Sequence, residues 1–252
     1  MNRYTILKRY ILSHKDDFDF TINNGDRASD YLTLSEIEAR GVAHHVDSDG
    51  KWTDSEMIKC KIVPGVNNWQ LGEIPAWKWI YSQMSDDDWV VLSHYRRRLE
   101  CTQRGSLGIA APMTLQASVL QQTAYCHSVT MAKILEAVLE EKYVKILKSN
   151  KFVPYNLFCV DKHSLKEWID FQDYYIGEMV RKYTGPDIEL FCRKDTDTFT
   201  PRPGKNISVD YQRRFYAFVS ERLSTAMWLD NMYRGVQFVP TNVILMEDGQ
   251  TI

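Results

Sequence analysis

Apolar residues along the chain fall into short runs bounded by polar clusters and longer stretches with a helical repeat. The short runs predict strands in five places: residues 4–14, 89–93, 107–113, 152–162 and 235–246. Trp77, Ile80, Tyr81 and Met84 recur at helical spacing, which predicts a helix over residues 75–84, with Glu73 near its start.

Three further segments have the period of helices. They cover residues 114–148, with a break near 123–128, residues 163–183, with Ser164 as the candidate N-cap, and residues 210–230. Residues 184–205 hold three of the eight prolines and are expected to form a surface loop. Strands that alternate with helices indicate an α/β fold with a mostly parallel central sheet that ends in an antiparallel strand. No repeat or linker divides the chain, so we expect a single domain over residues 1–252.

Composition and charge narrow the classes of protein. A hydrophobic content of 44% in 252 residues suffices for a substantial core. The net charge of -2 provides no global field for a polyanion, so an anion site must be a local cluster of basic residues. Five cysteines without a CxxC pair are typical of reduced thiols. No apolar stretch reaches the roughly 18 residues of a membrane span, and we expect a cytoplasmic protein without an export signal.

A basic motif at the end of one predicted strand is the strongest indication of a site. The signatures GxGxxG, GxxxxGK[ST], GxSxG and HExxH are all missing. Instead, His94, Tyr95, Arg96 and Arg97 directly follow the strand over residues 89–93, and ligands of open α/β sheets bind at the carboxyl ends of strands. Guanidinium groups match phosphate oxygens, which favours a diphosphate ligand. The alternative is that the arginines pair on the surface with the acidic run over residues 86–88.

Five motifs resemble a known family. LSHYRRRL, at residues 92–99, resembles the HYRR signature of the bacterial polysaccharide-biosynthesis family called domain of unknown function 4422, which includes galactofuranosyltransferases. Four other stretches resemble the family in the same order: ILSHK at 11–15, NWQLGE at 68–73, YNLFCVDK at 155–162 and RFYAFVSERL at 214–223. Four residues depart from its pattern and leave the donor and acceptor open: Lys78, Arg98, Leu157 and Ala217.

The resemblance implies a Rossmann-like glycosyltransferase domain of the GT-A type. Such an enzyme transfers a sugar, including a furanose, from a UDP-sugar to a hydroxyl group of a glycan or a lipid-linked glycan. The HYRR motif stands where many such enzymes carry an Asp-x-Asp metal site, so we expect inverting transfer with no divalent metal and no cofactor beyond the UDP-sugar. Asp86 to Asp88, or Asp195 with Asp197, are the alternative metal ligands.

The resemblance also assigns roles to individual residues. Arg96 and Arg97, together with Arg222, are expected to hold the donor diphosphate. Glu221 and Glu73 are the candidate bases, although Glu221 alternatively only pairs with Arg222 or Arg214.

His94 is expected to assist catalysis by donating a hydrogen bond to the phosphates, or else to bind a backbone carbonyl. Six residues are expected at the nucleotide, sugar or acceptor: His14, Asn68, Tyr95, Asn156, His127 and Arg214. Core or capping roles stay open for His14, Asn156 and His127. Three tryptophans either stack on a sugar or pack in the core: Trp69, Trp77 and Trp79.

Two other functions stay open at this stage. One is sugar transfer onto a hydroxymethylated nucleic-acid base, although the sequence pI near 6.3 argues against broad affinity for DNA. The other is a module of the same fold that binds a glycan or a nucleotide without turnover.

Overall fold

The computed structural model describes residues 7–13, 31–33, 73–94, 97–99, 105–183, 214–247 and 250–251 of the chain. Eleven strands lie in these ranges: β1 Leu7–Ser13, β2 Tyr31–Thr33, β3 Trp89–His94, β4 Arg97–Leu99, β5 Leu107–Ala110, β6 Met113–Thr114, β7 Lys151–Phe152, β8 Phe158–Asp161, β9 Phe238–Thr241, β10 Val243–Glu247 and β11 Gln250–Thr251. Six helices accompany them: α1 Ile74–Gln83, α2 Val119–Cys126, α3 Val129–Val138, α4 Glu141–Leu147, α5 Lys162–Tyr183 and α6 Phe215–Tyr233.

Nine of these strands form one sheet around β3. The order is β11-β10-β4-β3-β8-β5-β9, and β1 pairs with both β3 and β2. β1 runs parallel to β3 along its full length, whereas β8 and β4 pair with it in the antiparallel sense at its beginning and its end. Arg97 is the backbone partner of His94. The two described residues of the predicted basic motif, His94 and Arg97, therefore lie at the carboxyl end of a central strand.

The prediction of a mostly parallel sheet is wrong. Three strand pairs of this sheet are parallel and five are antiparallel. The main reason is β8, which lies antiparallel between β3 and β5. The first three residues of β8 are buried and apolar, a pattern that reports burial rather than strand direction.

Helices occupy all four predicted segments, but the one over residues 114–148 starts only at Val119 and has a second, unpredicted break between Val138 and Glu141. α1 starts one residue before the predicted helix. Pro75 lies in its first turn, where a backbone N–H has no partner inside the helix and its absence costs no hydrogen bond. The segment over residues 114–148 contains α2, α3 and α4. Ser128 caps α3 by accepting a hydrogen bond from the backbone N–H of Met131 at 3.1 Å, and this cap accounts for the predicted break.

One predicted cap is wrong. α5 begins at Lys162, so Ser164 lies inside its first turn rather than before it. The carboxylate of Asp161 accepts a hydrogen bond from the backbone N–H of Ser164 at 2.7 Å and thereby serves the helix start.

Aromatic residues dominate the core between the sheet and helices α1, α5 and α6. The ring of Trp77 stacks on Phe158 at 4.0 Å, and Trp168 and Trp228 also pack against Phe158. Trp77 and Trp79 are buried, which gives them a packing role and removes the alternative that they stack on a sugar. Trp69 lies outside the described residues.

α6 is buried almost all round: fifteen of its nineteen residues are buried. Such a helix runs through the protein interior, so every polar side chain on it needs a partner.

Several other expectations concern the chain as a whole. Cys126 and Cys159 are free thiols among the described residues. No helix in the described ranges is both long and apolar enough to cross a membrane. The predicted surface loop over residues 184–205 lies outside the described residues.

Candidate active site

Glu221 is the one residue of α6 between Phe215 and Leu229 that is not buried. Its side chain lies deep among protein atoms but keeps 27% of its surface accessible. A carboxylate in a buried helix is costly unless it is paired or reaches solvent, and Glu221 does both. Between Phe215 and Leu229, the helix therefore presents a single acidic side chain, that of Glu221.

Arg222 holds this carboxylate. One terminal nitrogen of Arg222 donates to Oε2 of Glu221 at 2.9 Å and to the carbonyl of Phe218 at 3.0 Å, while its Nε donates to the hydroxyl of Thr123 at 3.1 Å. Only 3% of the Arg222 side chain is exposed. This placement favours the alternative in which Glu221 pairs with Arg222. The arginine is therefore better placed to position Glu221 than to meet the predicted diphosphate.

Asn156 connects three separate segments next to this pair. It is 1% exposed and lies in the connection between β7 and β8. Its Nδ2 donates to the hydroxyl of Ser220 at 3.0 Å and to the carboxylate of Glu73 at 3.5 Å, and its Oδ1 accepts from Ser224 at 2.7 Å. The backbone carbonyl of Asn156 also accepts from the indole of Trp77 at 3.0 Å. The asparagine thus joins the start of α1 to the middle of α6.

Glu73 precedes α1 as its N-cap residue, yet its side chain makes no capping hydrogen bond. The carboxylate faces Asn156 instead, and its negative charge acts on Glu221. The two predicted base candidates, 148 positions apart in the sequence, therefore belong to one site.

Burial raises the pKa of the Glu221 carboxyl above its usual range. The neighbouring charge of Glu73 raises this pKa further, whereas Arg222 opposes the shift. Weaker opposition comes from Arg97 and Arg214, whose charges also act on this carboxylate. The site therefore combines two carboxylates with three guanidinium groups, and desolvation has the largest effect on Glu221.

Arg97 and Arg214 come to the site from distant parts of the sequence. The guanidinium carbon of Arg97 lies 4.0 Å from the ring centroid of Tyr155, directly before Asn156 in the chain. Arg214 is the N-cap residue of α6, and its guanidinium carbon lies 5.8 Å from the ring centroid of Phe218. Neither guanidinium is buried to the extent of Arg222. Arg97 and Arg214 are thus the accessible cations of the cluster.

His127 lies one aromatic ring away from the cluster. It ends α2, and its imidazole stacks on Phe218 with ring centroids 4.1 Å apart. Because Arg214 approaches the same phenylalanine, the two predicted binding residues share a neighbour.

The remaining predicted residues are placed in part or not at all. The backbone of His94 lies in β3 beside Arg97, but its side chain is outside the described part of the structure. Four residues lie outside the described ranges: His14, Asn68, Tyr95 and Arg96.

A buried hydroxyl network behind Asn156 was not predicted from the sequence. The hydroxyl of Ser224 accepts hydrogen bonds from the indole of Trp168 at 2.8 Å and from the amide of Gln172 at 3.1 Å. The same amide donates to the carbonyl of Ser220 at 3.3 Å. The available signal was the spacing of Ser220 and Ser224, which places two small polar residues on one face of an otherwise apolar helix.

The acidic residues proposed as alternative metal ligands have other partners. Asp86 pairs with Lys162 at 2.9 Å, and the carboxylate of Asp88 accepts from the backbone N–H of Ser85 at 2.8 Å. Asp195 and Asp197 lie outside the described residues. Among the residues that the structure describes, no group of three or more His, Cys, Asp or Glu side chains is arranged to hold a metal ion.

Comparison with known proteins identifies a structural neighbour but no family. No family model matches the sequence, and no curated protein matches it significantly. Among solved structures, the fold is similar to the apo structure of the WbbM bifunctional glycosyltransferase, with a TM-score of 0.56 and 12% sequence identity. The likeness covers 97% of this chain and 46% of that one, so the chain spans under half of its neighbour's length. At this identity the comparison shows a shared fold.

Proposed function

We propose that this chain is a glycosyltransferase that moves a sugar from a nucleotide-sugar donor to a hydroxyl acceptor. One observation carries the proposal: the charges of Glu73, Arg97 and Arg214, from three distant parts of the sequence, all act on the accessible carboxylate of Glu221, whose pKa burial raises. The fold shared with a protein that is itself a glycosyltransferase supports the same assignment.

Inverting transfer needs a base for the acceptor hydroxyl and a cation for the departing diphosphate, and the cluster contains a candidate for each. The acceptor oxygen attacks the anomeric carbon, and its proton passes to the Glu221 carboxylate. The bond from the anomeric carbon to the diphosphate oxygen breaks, and its electron pair leaves with the nucleotide diphosphate. A raised pKa makes Glu221 a stronger base, and Arg222 holds it in place.

Arg97 is the described residue best suited to the departing diphosphate. It lies at the carboxyl end of a central strand, keeps part of its surface accessible and is close enough for its charge to act on Glu221. A guanidinium placed before the reaction stabilises charge that develops on the leaving oxygens. Arg214 and Arg96 are proposed to complete this anion site.

Glu73 is proposed to orient the donor sugar, with Asn156 holding its carboxylate from the buried side. Asn156 is itself held by Ser220 and Ser224, so its contact with Glu73 has little freedom. A carboxylate accepts hydrogen bonds from sugar hydroxyls. We propose a UDP-sugar as donor, including a UDP-furanose, and a glycan or lipid-linked glycan as acceptor.

Binding of UDP tests the anion site. Isothermal titration of the wild type with UDP should show binding, and Arg97→Ala should weaken it by about 10-fold or more, the usual size for a charge-assisted hydrogen bond. Lys166→Ala removes an exposed lysine that pairs with Asp170 on α5, and it should bind UDP as the wild type does. Failure of the wild type to bind UDP would contradict the proposal.

Turnover separates an enzyme from a binding module. With a panel of UDP-sugars, the wild type should release UDP by transfer or slow hydrolysis, whereas Glu221→Gln should bind UDP but release almost none. UDP binding without turnover of any sugar would instead favour a non-catalytic module.

Metal-independent catalysis is a separate part of the proposal. Treatment with a chelator should leave the rate unchanged. Loss of the rate with recovery on addition of manganese would show that guanidinium groups do not replace a metal here.

A further inference from the structure

We infer that Tyr155 is a positioning residue that holds the Arg97 guanidinium ready for the donor diphosphate. The inference rests on the proposed function, because it gives Arg97 the diphosphate as its ligand. It adds a residue to which neither the sequence motifs nor the fold comparison assigns a role.

The backbone of Tyr155 is in an unfavourable conformation. Its φ angle is +62°, the left-handed region, and among the residues that the structure describes it is the one non-glycine residue with a positive φ. Glycine or asparagine adopts this region with less strain, whereas a bulky side chain there is rare. Strained residues of this kind cluster at functional sites, which points to a role for the Tyr155 side chain.

The ring lies against the guanidinium and rests on a firm base. The guanidinium carbon of Arg97 is 4.0 Å from the ring centroid, the distance of a close cation–π contact. On the protein side, Tyr155 packs against a small buried cluster of sheet and loop residues: Val91, Leu99, Ala110, Leu157 and Cys159. Tyr155 thus contacts this buried cluster and also supports the guanidinium of Arg97.

A ring is better suited to this task than a carboxylate. Stacking uses the face of the guanidinium and leaves the N–H groups, which lie in its plane, for a phosphate. A carboxylate partner would instead occupy those N–H groups and neutralise the charge. Glu221 and Glu73 are both in this site, so a support that keeps Arg97 from collapsing onto them preserves the cation for the ligand.

Two consecutive residues of one turn contact the guanidinium of Arg97 and the carboxylate of Glu73. Tyr155 supports Arg97, and the next residue, Asn156, binds Glu73, Ser220 and Ser224. The strained φ angle at Tyr155 therefore separates two consecutive side chains so that one faces the guanidinium and the other the carboxylate.

The test is a double-mutant cycle on UDP binding, measured by isothermal titration with Tyr155→Phe, Tyr155→Leu, Arg97→Ala and the Tyr155→Leu/Arg97→Ala double variant. We expect Tyr155→Phe to bind as the wild type does, because it keeps the ring. Tyr155→Leu should weaken binding by about 3- to 30-fold, the range of a cation–π contact. In the double variant, loss of the ring should add nothing to the loss of the arginine.

Two results would overturn the inference while leaving the proposed function intact. One is unchanged UDP affinity in Tyr155→Leu alongside a clear loss in Arg97→Ala. The other is a double variant that is weaker than Arg97→Ala by the full effect of Tyr155→Leu. Absence of UDP binding in the wild type would mark the different failure, that of the proposed function.

A second pair of variants tests the strain itself. Tyr155→Ala and Tyr155→Gly both remove the ring, but only glycine relieves the positive φ. Glycine should therefore melt at the higher temperature of the two, while both lose UDP affinity to the same extent. A higher melting temperature for the alanine variant would show that the backbone is not strained there.

Discussion

Glu178 and Glu221 each have an arginine neighbour, and the pKa values of the two carboxyls shift in opposite directions. Glu178 on α5 keeps the same 27% of its side chain accessible as Glu221, but its partner Arg181 is 66% exposed, and the hydrogen bond from Arg181 at 2.7 Å lowers the pKa of Glu178. Glu221 accepts a bond of 2.9 Å from Arg222, but burial outweighs the arginine and raises its pKa. The same pair of residue types thus has a solvated arginine on one helix and a buried arginine on the next.

The difference shows that pairing alone does not make a site. On α5, the ion pairs of Lys166 with Asp170 and of Arg181 with Glu178 lie at the surface, where such pairs contribute little to stability. On α6, Arg222 is only 3% exposed, and its further hydrogen bonds to Thr123 and Phe218 fix the geometry of the pair. The following predictions test how far this contrast extends, from the largest expected effect to the smallest.

The largest expected difference is in the rate of sugar transfer when Glu221 and Glu178 are each replaced by glutamine. Glu221→Gln keeps the shape of the side chain but removes the base, so the rate of sugar transfer should fall by about 100- to 10 000-fold. Glu178→Gln, the matched surface change, should leave the rate unchanged. Initial rates with the best UDP-sugar measure both effects, and a Glu221→Gln variant with more than a tenth of the wild-type rate would remove Glu221 as the base.

Replacement of the two arginines should separate the pairs in stability. Arg222→Met leaves Glu221 without its counter-charge in a desolvated place and should lower the free energy of unfolding by roughly 3 kcal/mol. Arg181→Met should leave the free energy of unfolding almost unchanged, as is usual at the surface. Urea denaturation gives both values, and equal losses would mean that Arg222 is no more committed to the interior than Arg181.

Asn156 tests whether the network behind the carboxylates matters. Asn156→Ala removes the acceptor of the Ser224 hydroxyl proton and the amide donor to the Ser220 hydroxyl, which should cost roughly 2 kcal/mol of stability. Transfer should slow as well, since Glu73 loses its contact with the amide. Lys166→Ala serves as the control in the same denaturation and rate measurements. A fully stable Asn156→Ala variant would show that the network adapts to the loss.

The pH dependence of stability should have opposite signs for the two glutamates. At Glu221, the folded protein keeps a proton that the unfolded chain has already lost, so stability falls as the pH rises from the ordinary value of 4.5 to the raised pKa. At Glu178, the lowered pKa contributes stability above the ordinary value, and this contribution is lost as the pH falls through the lowered pKa.

The two glutamine variants isolate these slopes. In urea denaturation over a series of pH values, Glu221→Gln should remove a loss of stability toward higher pH, and Glu178→Gln a small loss toward lower pH. Identical pH profiles for Glu221→Gln and the wild type would show that burial does not perturb this carboxyl.

Sequence reasoning located the parts of the site that depend on local patterns. The helical spacing of Trp77, Ile80 and Tyr81 placed α1 and hence Glu73, and the apolar run before the basic motif placed β3 and hence Arg97. Both predictions rest on the periodicity of apolar residues, which reflects the face of each element that is buried. Resemblance to family motifs then selected Asn156, Arg214 and Glu221, which the structure brings into the same cluster.

Features that depend on which segments meet in space were not predictable. The antiparallel direction of β8 depends on its neighbours β3 and β5, and its side chains alone do not encode it. Arg222 carries a charge, a property that predicts exposure, yet its bonds to Thr123 and Phe218 keep it in the interior. Near the start of α5, both Asp161 and Ser164 are good capping residues, and the residue at which the helix begins decides which of them caps it.

A crystal structure with UDP bound tests the central claim most directly. The account predicts that the diphosphate lies at hydrogen-bond distance, about 3 Å, from the guanidinium of Arg97, with the Glu221 carboxylate open to the acceptor side of the same site. UDP bound elsewhere on the protein, with Arg97 and Glu221 contacting neither the nucleotide nor its diphosphate, would contradict it.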